Sequence, residues 1–240
     1  MATTLIYGGS GGIGQAIAKR LHQQGQHLHL VGRDAEKLAA FAQTIGASYT
    51  CGDVTHPELF AQATAEAGEQ LTGLVYAVGS INLKPLRRLT IEDFQQDYAV
   101  NSIGAALAAQ ATFPVLKKNS SASVVFFSSI ASQQGFSSHA SISMAKAAVN
   151  GLTLALAAEF APHIRVNAIA PSLTATPLAA SLTNNPTVAE AIANLHPIPR
   201  LGTADDIAAL ACFLLSSDSS WLTGQILHVD GGRSTLRPKG

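Results

Sequence analysis

A glycine-rich segment near the start of the sequence has the spacing of a phosphate-binding turn. The run Gly8-Gly9-Ser10-Gly11-Gly12-Ile13-Gly14 follows a short apolar stretch at residues 5–7 and leads into an amphipathic one. Glycines at these positions allow backbone amides to approach a diphosphate at a helix N-terminus, where the helix dipole favours negative charge. We therefore predict that a dinucleotide binds here, with contacts from Gly8, Ser10, Gly12, Ile13 and Gly14.

The residues at the end of the second predicted strand indicate which dinucleotide is bound. Folds that bind NAD usually place a carboxylate here, which accepts a hydrogen bond from the ribose 2′-hydroxyl. In this sequence Gly32 takes that place and Arg33 follows it. Because a guanidinium offers charge and donors to a 2′-phosphate, the sequence favours NADP(H) over NAD(H). Asp34 could also reach the ribose, but a role as N-cap of the next helix is the favoured interpretation.

The elements that must position these residues alternate between strands and helices. Short β-type runs are predicted at residues 5–7, 27–31, 47–50, 73–78, 123–128, 164–169 and 225–229. Between them lie helical stretches, such as residues 12–24 and 35–45, with apolar side chains on one face. This alternation predicts an α/β, doubly wound Rossmann fold with seven parallel strands and helices on both faces of the sheet.

No linker or change in composition divides the chain, so we predict a single dinucleotide-binding domain over residues 1–240. Residues 171–186 are rich in Pro, Ser, Thr and Asn and carry no charge. A long loop of this kind inside a compact domain often covers or lines a binding site. We predict a substrate loop at about residues 171–200, and an ordinary irregular connection is the alternative.

The composition narrows the classes of partner. Hydrophobic residues make up 47% of the chain and charged residues only 12%, about half the usual charged share. Residues 140–160 are apolar on nearly every face of a helix, which therefore needs cover on two sides. We predict a homo-oligomer, a tetramer or a dimer, although a loop of the same chain could provide the cover. With 15 basic and 15 acidic residues and no block of like charge, no nucleic-acid partner is predicted.

The remaining features predict a cytoplasmic protein without a metal site. Cys51 and Cys212 lie far apart, no leader segment precedes the first strand, and the histidines lack metal-ligand spacing. The uncharged stretch at residues 98–116 approaches the length of a membrane span. It contains Asn101 and Pro114, so we predict a buried helix and no membrane partner. His196 is expected in a surface loop or, alternatively, in the substrate pocket.

Further motifs follow along the chain. They are Asp53-Val54, Tyr76-Ala77-Val78-Gly79, Asn101-Ser102-Ile103-Gly104, Phe127-Ser128-Ser129, Arg165-Val166-Asn167-Ala168-Ile169-Ala170-Pro171, Trp221-Leu222-Thr223-Gly224-Gln225 and Val229-Asp230-Gly231-Gly232. In this order they resemble the short-chain dehydrogenase/reductase family over residues 5–232. The resemblance implies further cofactor contacts from Asp53, Val54, Ala77, Gly79, Lys146, Thr174 and Thr176. The sequence departs from the family pattern at residues 76–78 and at Ser172, where the family usually has glycine.

The same resemblance implies the catalytic residues, with one exception. In the family an asparagine supports a water relay, a serine polarises the carbonyl, a tyrosine protonates its oxygen, and a lysine lowers the tyrosine pKa and holds the ribose. Asn101, Ser129 and Lys146 stand at the expected spacings, but Ile142 occupies the position of the tyrosine. Because an isoleucine cannot transfer a proton, the usual mechanism cannot run unchanged.

His139 is the candidate for the missing proton donor, because an imidazole is a competent acid near neutral pH. It lies seven residues before Lys146. If the helix extends back to His139, the two side chains lie on one helical face, with an angular offset of about 20° around the helix axis. The spacing also resembles that of the enoyl-reductase branch of the family, in which six residues separate tyrosine and lysine. Alternatively, His139 caps the helix or faces solvent.

Two functions are compatible with these residues. The first is an NADP(H)-dependent oxidoreductase that reduces a carbonyl or an activated carbon–carbon double bond of a small or medium apolar substrate. The second is an NADP(H)-binding module without turnover, such as a sensor or an assembly partner, since Lys146 could serve ribose binding alone.

Overall fold

Seven parallel strands form one sheet, as the sequence predicts. The computed structural model describes residues 2–119 and 121–237. The strands are β1 Thr3–Tyr7, β2 His27–Gly32, β3 Ser48–Cys51, β4 Leu71–Tyr76, β5 Ala122–Phe127, β6 Ile164–Pro171 and, after two short strands, β9 Ile226–Val229. Their order is β3-β2-β1-β4-β5-β6-β9. The order reverses between β1 and β4, and ligands of such folds bind at the carboxyl ends of the strands at this point.

Helices cover both faces of the sheet. They are α1 Gly12–Gln23, α2 Ala35–Thr44, α3 Glu58–Ala67, α4 Ile91–Tyr98, α5 Gly104–Leu116, α6 Ala140–Phe160, α7 Ala180–Thr183, α8 Pro186–Ala193 and α9 Ala204–Leu215. Side chains of each strand alternate between the two faces, because the side-chain period of a strand is two residues. Leu5 and Tyr7 pack with α3, α5 and α6, whereas Ile6 packs with α1, α2 and α9. The core therefore consists of two layers, one on each face.

The apolar stretch at residues 98–116 is helical and partly buried, as predicted. It forms the end of a continuous helix in which a π-helical turn, Ala99–Ile103, joins α4 to α5. The stretches Ile91–Leu116 and Ala140–Phe160 are long and apolar enough to span a membrane. However, Ala105 and Ala108 of the first and Val149 and Ala157 of the second belong to the core against the sheet. We therefore interpret both as core helices of the α/β fold.

Residues 171–186 are more regular than the predicted loop. Thr174–Ala175 (β7) pairs in parallel with Gly202–Thr203 (β8), a short 3-10 turn and α7 follow β7, and α8 begins at Pro186. The Asn185 side chain caps α8 by accepting hydrogen bonds from the amides of Thr187 and Val188. The predicted long loop therefore contains short regular elements, which the local composition did not reveal because β7 depends on pairing with the distant segment Gly202–Thr203.

Tyr76 links the end of β4 to the π-helical turn. Its hydroxyl donates a hydrogen bond to the Val100 carbonyl at 2.6 Å. A methyl group on Gly104 would lie 2.0 Å from that hydroxyl. The Tyr76 ring therefore fits only because the residue opposite it has no side chain.

We predict that Gly104→Ala destabilises the protein by about 1–3 kcal/mol, because the added carbon displaces the Tyr76 hydroxyl from a packed core. Denaturant unfolding measures the change. The matched control is Gly151→Ala in α6, where a methyl group meets nothing within 4 Å. That substitution should be neutral or stabilise the helix by up to about 1 kcal/mol. Equal effects of the two substitutions would show that the contact with Tyr76 does not limit packing.

Candidate active site

The glycine turn brings the N-terminus of α1 against the sheet. Gly8 has a φ of +80°, and a Cβ on Gly14 would lie 2.1 Å from the Gly8 carbonyl oxygen. Glycine is needed at position 8 because of the positive φ, and at position 14 because the Gly8 carbonyl leaves no room for a Cβ. Gly11 precedes α1 without a side-chain cap, and the first turn carries no acidic residue. The unpaired amides of this turn are therefore open to an anion such as a diphosphate.

The end of β2 lies beside this turn. A Cβ on Gly32 would stand 2.8 Å from the Ser10 hydroxyl oxygen. The Arg33 side chain is 72% exposed, and its guanidinium lies 3.7 Å from the Asp53 carboxylate. Asp34 caps α2 by accepting a hydrogen bond from the Lys37 amide at 3.1 Å. The structure thus gives Asp34 the capping role that the sequence favoured and leaves Arg33 at the surface next to the turn.

Asp53, predicted to contact the cofactor, is held by its own turn. Its carboxylate accepts hydrogen bonds from the Thr55 amide at 2.9 Å and the Thr55 hydroxyl at 2.8 Å. The bond from the Thr55 amide contributes most to a lowered Asp53 pKa, and the charge of Arg33 lowers it further. Val54, the next residue, is buried. Asp53 and Val54 therefore have fixed positions close to Arg33.

Lys146 is buried at the carboxyl end of β5. Its Nζ donates a hydrogen bond to the Phe127 carbonyl at 2.8 Å. Burial lowers the pKa of this ammonium to about 8, and the negative charge of Asp97 opposes the shift. A Cβ on Gly79 would lie 3.1 Å from Asn101 Oδ1 and 3.4 Å from Lys146 Nζ. Three of the predicted site residues, Gly79, Asn101 and Lys146, therefore meet at one point.

The π-helical turn directs Asn101 into this cluster. Its Nδ2 donates to the Ser80 hydroxyl and to the Asp97 carbonyl, both at 2.8 Å. A π-helical turn adds a residue to the helix and often occurs at functional sites. Asn101 lies behind Gly79 and is not among the residues that line the adjoining cavity.

Sequence reasoning missed the buried carboxylate of Asp97. It accepts hydrogen bonds from the Ser80 hydroxyl at 2.7 Å, Asn82 Nδ2 at 3.3 Å and the Ser141 hydroxyl at 2.6 Å. These bonds tie α4 to the chain after β4 and to the first turn of α6. The available signal was its position four residues before Asn101, which places the two side chains on the same helical face.

A cavity of about 330 Å³ opens beside Lys146. Of the predicted site residues, those that line it are Ile13, Ala77, Gly79, Ser129, His139, Lys146, Thr174 and Thr176. Gly12 adjoins it, since a Cβ there would lie 3.0 Å from the Thr176 side chain. The other predicted residues lie outside its walls: Asn101 lies behind Gly79, and the rest lie at the phosphate-binding turn and around Arg33. The structure therefore brings the predicted cofactor contacts and the predicted catalytic residues to one end of the sheet.

Ser129 begins a short turn at the wall of this cavity. Its hydroxyl oxygen accepts a hydrogen bond from the Ala131 amide at 3.1 Å. The neighbouring Ser128 is buried instead, and its hydroxyl donates to the Lys146 carbonyl at 3.2 Å. Ser128 thus links the end of β5 to α6 at Lys146, and both serines line the cavity.

His139 does not share a helical face with Lys146, because α6 begins one residue later, at Ala140. Ser138 has a φ of +65°, which breaks any helical path before this point. His139 occupies the N-cap position, but its side chain makes no capping bond. Its Nδ1 lies 2.7 Å from the Ser137 carbonyl oxygen and therefore donates to it. The condition for a shared helical face is therefore not met, yet His139 and Ile142 both line the cavity.

His196 is buried, contrary to the expected surface position. Its Nδ1 lies 2.9 Å from the Ile192 carbonyl, so this nitrogen carries the proton, and Nε2 accepts a hydrogen bond from the Ser172 hydroxyl at 2.8 Å. The prediction failed because the hydrogen-bond partner of the imidazole, Ser172, lies far from His196 in the sequence. Ser172 lines both the main cavity and a smaller one, and His196 lines only the smaller of these two.

We predict that Lys146 makes stability depend on pH. The unfolded chain binds this proton more tightly than the native protein, so the free energy of unfolding rises with pH between about 8 and 10.5. The total gain is on the order of 3 kcal/mol. Lys146→Met should lack this rise in denaturant titrations of the cofactor-free protein, whereas Lys118→Met, at an exposed site, should retain it. A profile that Lys146→Met leaves unchanged would contradict the prediction.

Known proteins share the sequence pattern of this chain. The family described as Enoyl-(Acyl carrier protein) reductase matches residues 8–234. A 3-oxoacyl-(acyl-carrier-protein) reductase of Rickettsia bellii is 34% identical over 233 residues, which cover 96% of this chain and 95% of that protein. A tropinone reductase homolog of Arabidopsis thaliana is 31% identical over 240 residues, covering 96% of this chain and 91% of that protein.

Solved structures share the fold. A short-chain type dehydrogenase/reductase from Mycobacterium ulcerans has a TM-score of 0.93 and 30% identity, covering 98% of this chain and 90% of its own. The structure described as ElxO with NADP bound has a TM-score of 0.90 and 28% identity, covering 98% of this chain and 99% of its own. Motif order, strand order and these likenesses agree, and the chain belongs to the short-chain dehydrogenase/reductase family of oxidoreductases.

Proposed function

We propose that this protein is an NADP(H)-dependent oxidoreductase that reduces a carbonyl or an activated carbon–carbon double bond of a small or medium apolar substrate. The proposal rests mainly on the cavity beside Lys146, which is lined both by predicted cofactor contacts and by apolar side chains. The relatives named above include one whose name describes a 3-oxoacyl reductase. We further propose a single cytoplasmic domain, with residues 171–200 as the segment that lines the substrate side.

In this proposal the dinucleotide extends from the glycine turn to the cavity beside Lys146. The uncapped start of α1 holds the diphosphate, Arg33 meets the 2′-phosphate, and Asp53 and Val54 border the adenine. Lys146 holds the second ribose, while the Thr174 backbone and the Thr176 hydroxyl hold the carboxamide. When bound, NADPH supplies the hydride, and the protein provides position and charge. The structure described as ElxO with NADP bound is consistent with this choice of cofactor.

His139 is the proton donor in this proposal. Its Nδ1 donates to the Ser137 carbonyl, so the proton that is transferred to the substrate is the second one, which Nε2 carries in the imidazolium form at the cavity wall. Ser129 donates to the substrate oxygen and polarises it. Asn101 belongs to the polar cluster around Asp97, whose negative charge acts on Lys146, and in this proposal the cluster resupplies protons to the site. None of the described residues that line the cavity is a tyrosine, which supports a different donor.

A binding module without turnover is the second candidate. It is supported by Ile142, which presents a hydrocarbon surface at the cavity where the family places its tyrosine. Lys146 would then serve only to hold the ribose. The two candidates differ in one observable, which is oxidation of NADPH in the presence of an acceptor.

We also propose that the protein is a homo-oligomer, a tetramer or a dimer. Three apolar side chains lie at least half exposed along the π-helical turn and α6, namely Ile103, Met144 and Leu154. Burying such side chains against a second copy of the chain removes apolar surface from water, which stabilises association.

We predict that Arg33→Gln weakens NADPH binding by about 10- to 100-fold, because it removes a charge-assisted contact to the 2′-phosphate. NADH, which lacks that phosphate, should bind the variant and the original protein equally. Fluorescence titration of each cofactor measures both constants. Arg87→Gln, at another exposed arginine, is the control. Equal loss of affinity for both cofactors would argue against a role of Arg33 in cofactor choice.

We predict that His139→Gln lowers kcat by about 100-fold or more, the usual contribution of a general acid. NADPH oxidation with a panel of ketones, aldehydes and enones first identifies an acceptor. His163→Gln, at an exposed position before β6, should leave kcat unchanged, and Ile142→Ala should have a much smaller effect than His139→Gln. If the three variants matched the original protein, His139 would not be the donor.

The variant Ile142→Tyr separates the two candidate functions. It restores a phenol beside Lys146 and should create or raise carbonyl reductase activity in a site that is otherwise intact. Cofactor binding without turnover in the original protein, together with a gain of activity in this variant, would establish the binding module. Turnover in the original protein would establish the enzyme.

A further inference from the structure

One wall of the cavity carries a guanidinium. Arg233 lines the cavity together with Phe136 and His139, among mainly apolar neighbours. The described lining includes no aspartate or glutamate. Arg233 therefore places a positive charge at the cavity wall, and it is not one of the predicted cofactor contacts.

The guanidinium of Arg233 rests on an aromatic ring. Its Cζ lies 5.2 Å from the centre of the Phe136 ring, and the same ring lies next to the His139 imidazole, tilted by 44°, with 5.3 Å between the centroids. A cation over an aromatic face is attracted by the ring quadrupole. Phe136 thus holds Arg233 on the same wall as the proposed proton donor.

The donors of this guanidinium have no acceptor within the part of the chain that the structure describes. The nearest carboxylate in sequence, Asp230, accepts hydrogen bonds from the amides of Gly232 and Ser234 and from the Ser234 hydroxyl. No ion pair joins it to Arg233 among the described residues. The charge of Asp230 acts on Arg233 only at longer range.

Two other arginines, Arg165 and Arg200, have acceptors for their guanidinium groups. Arg165, also partly buried, donates to the carbonyls of Leu214, Ser216 and Ser219. Arg200 donates to the Asp206 carboxylate with both terminal nitrogens. A partly buried guanidinium normally has acceptors for its N–H groups. Arg233 differs from Arg165 and Arg200 because its described surroundings leave these N–H groups without acceptors.

The backbone around Arg233 is fixed. The Arg233 amide donates to the Asp230 carbonyl at 3.1 Å, and Gln134 Nε2 donates to the Ser234 carbonyl at 2.7 Å. The second bond links the segment after β9 to the loop that carries Phe136. The guanidinium is therefore held in place before any ligand arrives, which reduces the entropy lost on binding.

We propose that Arg233 binds a carboxylate group of the substrate, so that the substrate is an apolar molecule with a carboxylate at one end and the reducible group at the other. This inference rests on the proposed function of the same cavity. A planar guanidinium matches a carboxylate through two parallel hydrogen bonds. A phosphate monoester, with about two charges, would call for a second cation, and the only other Lys or Arg among the described lining residues is Lys146.

Calorimetric titration of the NADP-loaded protein with octanoate, octanamide and acetate tests the proposal without requiring turnover. Octanoate should bind more tightly than octanamide, which lacks the charge, and than acetate, which lacks the apolar chain. Arg233→Gln should weaken octanoate binding by about 10- to 100-fold and leave octanamide unchanged. Arg87→Gln, at an exposed arginine that does not line the cavity, is the matched control and should behave as the original protein.

Equal affinity for octanoate and octanamide, no octanoate binding at millimolar concentration, or an equal loss in both arginine variants would overturn the proposal. Circular dichroism and thermal unfolding establish that Arg233→Gln is folded, and Arg233→Lys should recover part of the octanoate affinity through its charge. A kinetic comparison of 7-oxooctanoate with its methyl ester distinguishes the two levels of inference. Reduction of neutral ketones without a preference for carboxylates would refute the Arg233 site and leave the oxidoreductase in place. Selective octanoate binding without turnover would support the Arg233 site and refute the oxidoreductase.

Discussion

The burial of the Lys146 ammonium is the constraint on which the rest of the site depends. A cation that leaves water loses several kcal/mol of solvation, and hydrogen bonds and opposite charge must compensate for the loss. The Phe127 carbonyl accepts one hydrogen bond, and Asp97 supplies negative charge. Because these groups lie on β5, α4 and α6, the three elements must keep their relative positions for the ammonium to remain buried.

The polar cluster around Asp97 extends this constraint to the cofactor side. Its carboxylate is shared by Ser80 and Asn82 after β4 and by Ser141 at the start of α6. Asn101 reaches the same cluster from the π-helical turn and lies against Gly79. The chain after β4 therefore stays close to the lysine, and its small residues leave room for a ligand. Satisfied networks of this kind give a site its rigidity as well as its charge.

The cavity is lined by residues of different chemistry. Ala77, Gly79 and Thr176 are small or hydroxyl-bearing residues. The loop before α6 contributes Phe136 and His139, and Arg233 adds a guanidinium. That loop includes the strained residue Ser138, whose carbonyl accepts a hydrogen bond from the Lys84 amide at 3.0 Å. Strain of this kind persists only where surrounding contacts hold it, and it is common at functional sites.

Much of the fold could be predicted from the sequence because it depends on short-range rules. The alternation of Leu5, Ile6 and Tyr7 between the two faces of the sheet follows from strand geometry, and the glycine turn follows from sterics within seven residues. Asp34 caps α2 as its position beside the helix start indicates. Likewise, α1 ends at Gln23, one residue before the predicted end.

The tertiary structure decided the details that depend on partners distant in the sequence. The sequence by itself determined the cofactor turn, the order of elements and the family, since local backbone preference and side-chain periodicity carry that information. It did not determine that His139 precedes its helix, that His196 is buried against Ser172, or that Arg233 lies over Phe136. Burial and hydrogen-bond pairing are set by segments that meet only after folding, and no pattern within one segment encodes the chemistry of the other.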